Sequence, residues 1–343
     1  MGKIKVAVIG LGVMGQTHAR IYSEMAGAEL AAVYDIYRPH AEETAKKYGA
    51  WAADSLDALF GMAELDAVSI CTSDDQHYEL AMLACKHGKH VLMEKPLATD
   101  LDEAKAIVEQ AEASGIKLMV GHTLRWDPRY YHARETVASG KVGSPLHLYA
   151  RRNNSYQNGL RLKGRTSVLM FLGVHDIDAI EWVTGDRIVE VYTAEVRNRL
   201  KEFQVGDAAI TTFKMASGAV GSYETSWVMP DHYYELDAKL DIIGTAGAIN
   251  IDITGQNVQR HADGRFSYPD TMYGMEMYGR LTGIMKEELT SFVLAVAEDA
   301  PLPISAREAY RAVQIAACME RSLSTGLPVA VPASNDSFQE GEQ

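Results

Sequence analysis

Over its first 122 residues the chain alternates short runs of apolar, β-branched residues with longer stretches whose apolar positions recur at helical spacing. The runs are IKVAVIG (4–10), ELAAVYD (29–35), DAVSICT (66–72), HVLMEKP (90–96) and KLMVGH (117–122). Each reads as a strand buried on both faces. The stretches between them predict helices over about 12–25, 39–48, 75–87 and 99–114. Pro39 opens the second and Gly88 stops the third. Thr99 and Asp102 have capping-box spacing at the start of the fourth, with Asp in place of the usual Glu. Strand–helix repetition of this kind requires a parallel sheet with helices on both faces, the doubly wound α/β arrangement.

After residue 122 the pattern changes. A helix-like segment (128–139) and a strand-like one (145–153) come first, then a helix over 174–184 that ends at Gly185. Strands follow without intervening helices: IVEVYTAEV (188–196), DAAITTFKM (207–215), AVGSYETSW (219–227) and two more between 236 and 252. MASGAVG (215–221) reads as a hairpin turn. Successive strands on short turns make an antiparallel sheet. Helices at about 277–298 and 306–324 close the pattern. The expected organisation is an N-terminal Rossmann domain (1–122), a C-terminal α+β domain with an open, mostly antiparallel sheet (123–332), and a polar, disordered tail (333–343).

Length agrees with two domains, since 343 residues is more than one domain of about 150. A hydrophobic fraction of 47% with 23% charged residues excludes a disordered or fibrous chain. The net charge of −13 argues against nucleic acid and anionic membranes as partners. The three cysteines, Cys71, Cys85 and Cys318, are far apart and form no CxxC, which suits a reducing compartment. No apolar run reaches the ~18 residues of a membrane span. A soluble, cytoplasmic protein is expected.

Gly10, Gly12 and Gly15 form GxGxxG, ending a strand and opening a helix. That context gives the glycines a physical use: a tight turn at Gly10, close approach of a pyrophosphate at Gly12, and close helix–strand packing at Gly15. The amides near Val13 and Met14 then face negative oxygens. Asp35 ends the second strand, 20 residues after Gly15, where a carboxylate accepts from both ribose hydroxyls and repels a 2′-phosphate. NAD is therefore expected over NADP. Arg38, three residues on, is the one feature that leaves NADP possible, because an arginine there can pair with that phosphate.

Glu94-Lys95-Pro96 closes the HVLMEKP strand. Ligands in doubly wound sheets bind at carboxyl ends of strands, so Lys95 is placed to meet one. The residue before a proline is extended, and the Lys95–Pro96 bond can be cis. In GVHDIDAIEW (173–182), His175 and Asp178 stand at i and i+3 on one helix face, where Asp178 can orient the imidazole.

Taken in order, the Gly10-Leu11-Gly12 turn, Thr72, His77, Glu94-Lys95-Pro96, VGHTLRWDPRY (120–130) and GVHDID resemble the Gfo/Idh/MocA oxidoreductase family. The resemblance covers nearly the whole chain. It implies an NAD(P)-dependent dehydrogenase acting on a hydroxyl of a sugar, cyclitol or related polyol. It implies that Lys95 touches nicotinamide ribose and substrate, that His175 is the general acid/base, and that the open sheet packs in a homodimer or homotetramer. It places Thr72, Ser73 and His77, with Glu94, beside the cofactor. One departure stands out: family dehydrogenases usually carry Asp four residues before the histidine, and this chain has Phe171 there. Either His175 works with Lys95 alone and Phe171 is an apolar wall against a sugar ring, or ordinary dehydrogenase chemistry is lost. The alternatives are a glycoside-cleaving enzyme of the same fold that retains NAD, and a non-enzymatic NAD- or sugar-sensing regulator.

Residues 123–165 hold nine basic residues and two acidic ones, a local +7 in a chain of −13. Paired arginines such as Arg125 there would suit an anionic group on the substrate, or an acidic face of a partner subunit. NNSYQNG (153–159) reads as an amide-rich loop for hydroxyl recognition, with Asn153 as a candidate substrate contact. Trp126 and Tyr156 are candidates to stack on a sugar. HGKH (87–90) and the His175, Asp176, Asp178 group carry too few ligands for a metal, and none is expected.

Overall fold

The structure is a computed structural model and describes residues 2–230, 236–254, 258–262 and 265–333. The chain begins with β1 (Ile4–Ile9), α1 (Val13–Glu24), β2 (Ala28–Tyr34), α2 (Arg38–Tyr48), β3 (Trp51–Ala52), α3 (Leu56–Phe60) and β4 (Ala67–Ile70). It continues with α4 (His77–Lys86), β5 (His90–Met93), α5 (Leu101–Ser114) and β6 (Leu118–Val120). The six strands form one parallel sheet in the order β3-β2-β1-β4-β5-β6. β4 is buried throughout and β1 over its last four residues, as their apolar runs demand. The reversal of strand order beside β1 puts a crevice at the carboxyl ends of β1 and β4. α5 is capped one residue later than expected: Asp100, not Thr99, accepts from the Asp102 and Glu103 amides at 2.9 and 3.0 Å.

The chain then forms α6 (Pro128–Ala138), β7 (Pro145–Ser155), α7 (Tyr156–Leu162), a π-helical turn (Leu169–Gly173) and α8 (Val174–Thr184). Next come β8 (Ile188–Val196), β9 (Ala208–Met215), β10 (Val220–Met229), β11 (Leu236–Gly244) and β12 (Ala248–Asp252). Two ribbons follow, β13 (Arg260–Ala262) with β14 (Arg265–Ser267), and β15 (Met275–Met277) with β16 (Arg280–Thr282). The chain closes with α9 (Ile284–Ala297), α10 (Ala306–Thr325) and β17 (Val329–Ala330). The second sheet has the order β12-β11-β7-β10-β9-β8-β17; only the β7–β10 pair is parallel. It is therefore mixed and mostly antiparallel. Along β9 burial alternates residue by residue, so one face of the sheet is covered and the other open. The open face carries exposed Tyr192, Ile210 and Val220.

Two compact units result. One is 1–123 with 272–310; the other is 124–271 with 311–343. The segment 272–310, which the sequence assigns to the second domain, thus belongs to the first unit. α9 begins at Ile284 rather than near 277 because the β15–β16 ribbon takes up the intervening residues. Its Gly279 has φ +76°, and Gly283, which caps α9, has φ +108°. The tail expected to be disordered lies outside the described residues but for Ala333.

Candidate active site

In the first unit the β1–α1 turn is shaped by what cannot fit there. Gly10 has φ +85°, and a Cβ on it would lie 2.8 Å from the Thr72 nitrogen. A Cβ on Gly15 would lie 1.8 Å from the Gly10 carbonyl oxygen, so only glycine lets α1 sit this close to β1. Gly12 caps α1 without a side chain, and a Cβ there would meet nothing. Val13 is 83% exposed. The first amides of α1 (Val13, Met14 and Gly15) have no intrahelical acceptor, and they open at the positive end of the helix dipole. That combination is an anion cradle.

Asp35 lies just past β2. Its carboxylate accepts from the Leu11 amide (2.7 Å) and the Tyr37 amide (2.8 Å), which ties the glycine turn to the end of β2. A carboxylate has about four acceptor positions, so both oxygens keep capacity for ribose hydroxyls. Arg38 is engaged elsewhere. Its guanidinium pairs with Glu42 and Asp54, each at 2.9 Å, and donates to the Ala53 carbonyl at 2.8 Å. The structure thereby gives Arg38 a role in bracing α2 and weakens the case for a 2′-phosphate there.

Thr72 and Ser73 follow β4, half-buried, and a 3-10 turn (Asp74–Gln76) leads into α4. His77 is 1% exposed, and its Nδ1 lies 2.8 Å from the Pro96 carbonyl oxygen. Only a protonated Nδ1 can donate to a carbonyl. Burial lowers the His77 pKa, partly offset by that bond, so the ring is neutral with its proton on Nδ1. The Lys95–Pro96 peptide is cis. His77 thus holds the turn that carries Lys95, which is half-buried beyond β5. Glu94 is buried, and its Oε1 lies 3.4 Å from His18 Nε2.

In the second unit, His175 is the second residue of α8 and half-buried. Its two neighbouring aspartates are both committed. Asp178 accepts from Arg125 Nε and Nη2 at 2.9 and 2.6 Å, with the pair 4% and 9% exposed. Asp176 accepts from Arg152 and, at 3.2 Å, from the Tyr223 hydroxyl. Burial raises the Asp176 pKa against the pull of Arg152. A bidentate buried pair therefore joins Arg125, read from the sequence as suited to an anionic group, to Asp178, read as the residue beside His175 on its helix face. Together the two pairs clamp the first turns of α8.

Phe171 lies in the π-helical turn, with its ring 6.3 Å from that of Trp227, tilted by 41°. Such turns interrupt a helix and re-aim its side chains. NNSYQNG is not a loop; it spans the end of β7 and the start of α7. Asn153 is 6% exposed and donates its amide to Glu224 (2.8 Å) and Asp237 (3.4 Å). Tyr156 carries the Arg199 guanidinium 3.6 Å from its ring centroid. Trp126 is half-buried in the 3-10 turn Thr123–Trp126. Four of the nine basic residues of 123–165, Arg125, Arg129, Arg151 and Arg152, each pair with an aspartate, and Arg134 lies over Trp182.

Sequence reasoning missed Trp227, the Glu224–Asp237 acceptors, His18 and Glu288. Trp227 alternates correctly in its strand run and reads as core. Nothing in local sequence joins Glu288 to a motif two hundred residues away. Among the described residues no group of His, Cys, Asp and Glu is arranged to hold a metal.

Sheet order, glycine turn and Asp35 define a dinucleotide-binding oxidoreductase fold joined to a second α+β unit. The chain belongs to the GFO/IDH/MocA family. The family model for the oxidoreductase family, NAD-binding Rossmann fold, matches residues 4–122, and that for the GFO/IDH/MocA C-terminal domain matches 130–250. An inositol 2-dehydrogenase of Rubrobacter xylanophilus is 31% identical over 341 residues, covering 96% of this chain and 93% of the relative. The scyllo-inositol 2-dehydrogenase (NAD(+)) of Bacillus subtilis is 31% identical over 257 residues, 73% of this chain and 74% of the relative. In fold, the chain is similar to scyllo-inositol dehydrogenase of Lactobacillus casei, a crystal structure with bound cofactor NAD(H) and scyllo-inositol. The TM-score is 0.84 at 19% identity, over 96% of this chain and all of that one.

Proposed function

We propose that this protein is an NAD-dependent cyclitol dehydrogenase, oxidising one ring hydroxyl of an inositol. It is an oxidoreductase acting on CH–OH groups. The observation that carries the choice of substrate is the match along 96% of the chain to a relative named inositol 2-dehydrogenase. The matched relatives are named as dehydrogenases, which lends no support to a glycoside-cleaving enzyme or a regulator.

The proposed roles follow from placement and chemistry. The α1 amides and the Gly10–Gly15 cradle hold the pyrophosphate, and Asp35 holds the ribose hydroxyls. Thr72, Ser73 and Glu94 line the same crevice. NAD, when bound, supplies the hydride acceptor. Nδ1 of His175 is buried, so Nε2 is the nitrogen that takes the hydroxyl proton. Lys95, at the end of the β5 turn, supplies a cation that can offset charge developing on a substrate oxygen. Half-buried Phe171, with the buried Trp227 ring 6.3 Å from its own, gives an apolar surface where the family resemblance would place an aspartate.

The open sheet face supports assembly as a homodimer or homotetramer, since exposed Tyr192, Ile210 and Val220 lie on it. Three free cysteines and the acidic charge suit a reducing cytoplasm.

The test is turnover with NAD and a panel of inositols, followed by absorbance of the reduced coenzyme. His175→Asn is expected to lower kcat by about 10²–10⁴, the usual worth of a general base, with NAD affinity unchanged. Wild-type turnover in that variant would remove His175 from the chemistry.

A further inference from the structure

Directly under the Glu94–Lys95–Pro96 turn the first unit buries a group of side chains that the roles above leave unexplained. α9 returns to this unit from the far end of the chain and packs on α1, β1 and β5. It brings Glu288, which is fully buried, and neither of its carboxyl oxygens has a hydrogen-bond partner among the described residues. Glu94 Oε1 is buried on the same spot. A Cβ added to Gly121, the residue after β6, would lie 3.7 Å from Glu94 Oε1 and 3.8 Å from Glu288 Oε1. Both carboxyl oxygens therefore lie within 4 Å of the one point beside Gly121.

On the other side of Glu94 stands His18, 1% exposed, with Nε2 at 3.4 Å. Its Nδ1 lies 2.7 Å from Ser69 Oγ and 3.3 Å from Cys71 Sγ. Cys71 is the residue whose backbone touches the space Gly10 leaves open. The cluster thus runs from α9, through the Glu94 turn, to the floor of the dinucleotide crevice.

Two carboxylates and a histidine in a dry pocket cannot all carry charge at low cost. The neutral arrangement has one anion, one cation and one protonated acid. Burial and then the Glu94 charge push Glu288 well above the usual carboxylate range, with His18 offsetting part of this. Burial would raise Glu94 too, but the hydrogen bond and charge of His18, with Lys95 and His77, bring it below that range. Burial disfavours the imidazolium of His18; the Cys71 sulfur and Glu94 outweigh it, and the ring is held well above the usual histidine range.

We propose that Glu288, as a neutral carboxylic acid, is a positioning residue that holds Glu94, and through it the Lys95 turn and the coenzyme crevice. The proposal deepens the dehydrogenase reading and rests on it only for the identity of the coenzyme. Further titratable groups lie on α9 and on the elements packed against it. α9 itself carries Lys286 and Glu287; α1 carries His18, Arg20, Tyr22 and Glu24; β4 leads to Cys71; β5 carries His90 and leads to Glu94 and Lys95; His122 follows Gly121. β1 carries only half-buried Lys5, and exposed Arg280 is the one such group on β16.

Because a raised acid is neutral when folded and ionised when unfolded, its contribution is intact below the ordinary carboxylate pKa. It is lost as pH rises from there through the folded value. Over that window the folded-to-unfolded ratio of the wild type should fall relative to Glu288→Gln by up to about tenfold per pH unit. Urea unfolding of the two proteins from pH 5 to 8.5 reads this without substrate or coenzyme. The second readout is NAD affinity by fluorescence titration at pH 6, 7 and 8. Glu288→Gln, which keeps the shape and a donor, should bind as tightly as the wild type at pH 6. Glu288→Leu should bind several-fold more weakly at every pH, with Gln restoring what Leu loses. Parallel stability curves for wild type and Glu288→Gln, or equal NAD affinity in all three proteins, would overturn the proposal. If NAD fails to bind the wild type, the coenzyme reading fails, while the stability comparison still decides the state of Glu288.

Discussion

Arg125 and Asp178 form a buried charged pair beside a candidate catalytic residue. Both are desolvated, and their two hydrogen bonds close on each other. Removing one partner strands the other as a buried charge, at a cost of about 3–5 kcal/mol. Arg125→Met should therefore lower the urea midpoint sharply while leaving the substrate KM of the surviving folded enzyme little changed. An unaltered midpoint with a large rise in KM would return Arg125 to the substrate. At this scale the sequence disclosed residue types better than their partners. GxGxxG with Asp35, and Lys95 before Pro96, were legible because local spacing sets their geometry. The i, i+3 spacing of His175 and Asp178 reports a shared helix face and is silent about Arg125, which binds Asp178 from 53 residues earlier.

Packing of α1 on β1 is the element-level feature on which the crevice depends. Gly15→Ala would place a methyl 1.8 Å from the Gly10 carbonyl, a backbone contact that no rotamer relieves. α1 would have to shift off the sheet, at a cost of about 1–3 kcal/mol or more by the usual penalty of overpacking. The expected result is a lower melting temperature together with much weaker NAD binding; tight binding in this variant would show the turn to be more pliant than its contacts imply. Elements with long, strongly periodic sequence were legible: α8 spans Val174–Thr184 as expected and ends on Gly185 in the left-handed region. β3 and α3, two and five residues long, are too short to show a period. The start of α9 was misplaced because MYGRLTG keeps helix-like apolar spacing while Gly279 and Gly283 take positive φ.

For the whole molecule, the two fold classes were legible because the hydrophobic period changes once along the chain, at the end of the parallel sheet. Segment 272–310 was not, since nothing local marks a return to the first unit. The open face of the second sheet carries the prediction that belongs to this scale. Ile210 and Val220 are 57% and 49% exposed on adjacent strands, and replacing both with Asp should convert an oligomer to monomers on a sizing column. An unchanged elution volume would place the assembly surface elsewhere.

The central claim is that this chain moves hydride between NAD and a ring carbon of a cyclitol, with His175 handling the proton. The most direct test is absorbance at the reduced-coenzyme band after mixing the purified protein with NAD and myo- or scyllo-inositol, beside His175→Asn as control. The account predicts a steady rise with one of these inositols and NAD, a much weaker one with NADP, and a near-flat trace for the variant. No reduction of NAD by either inositol, in a protein shown to bind NAD, would contradict it.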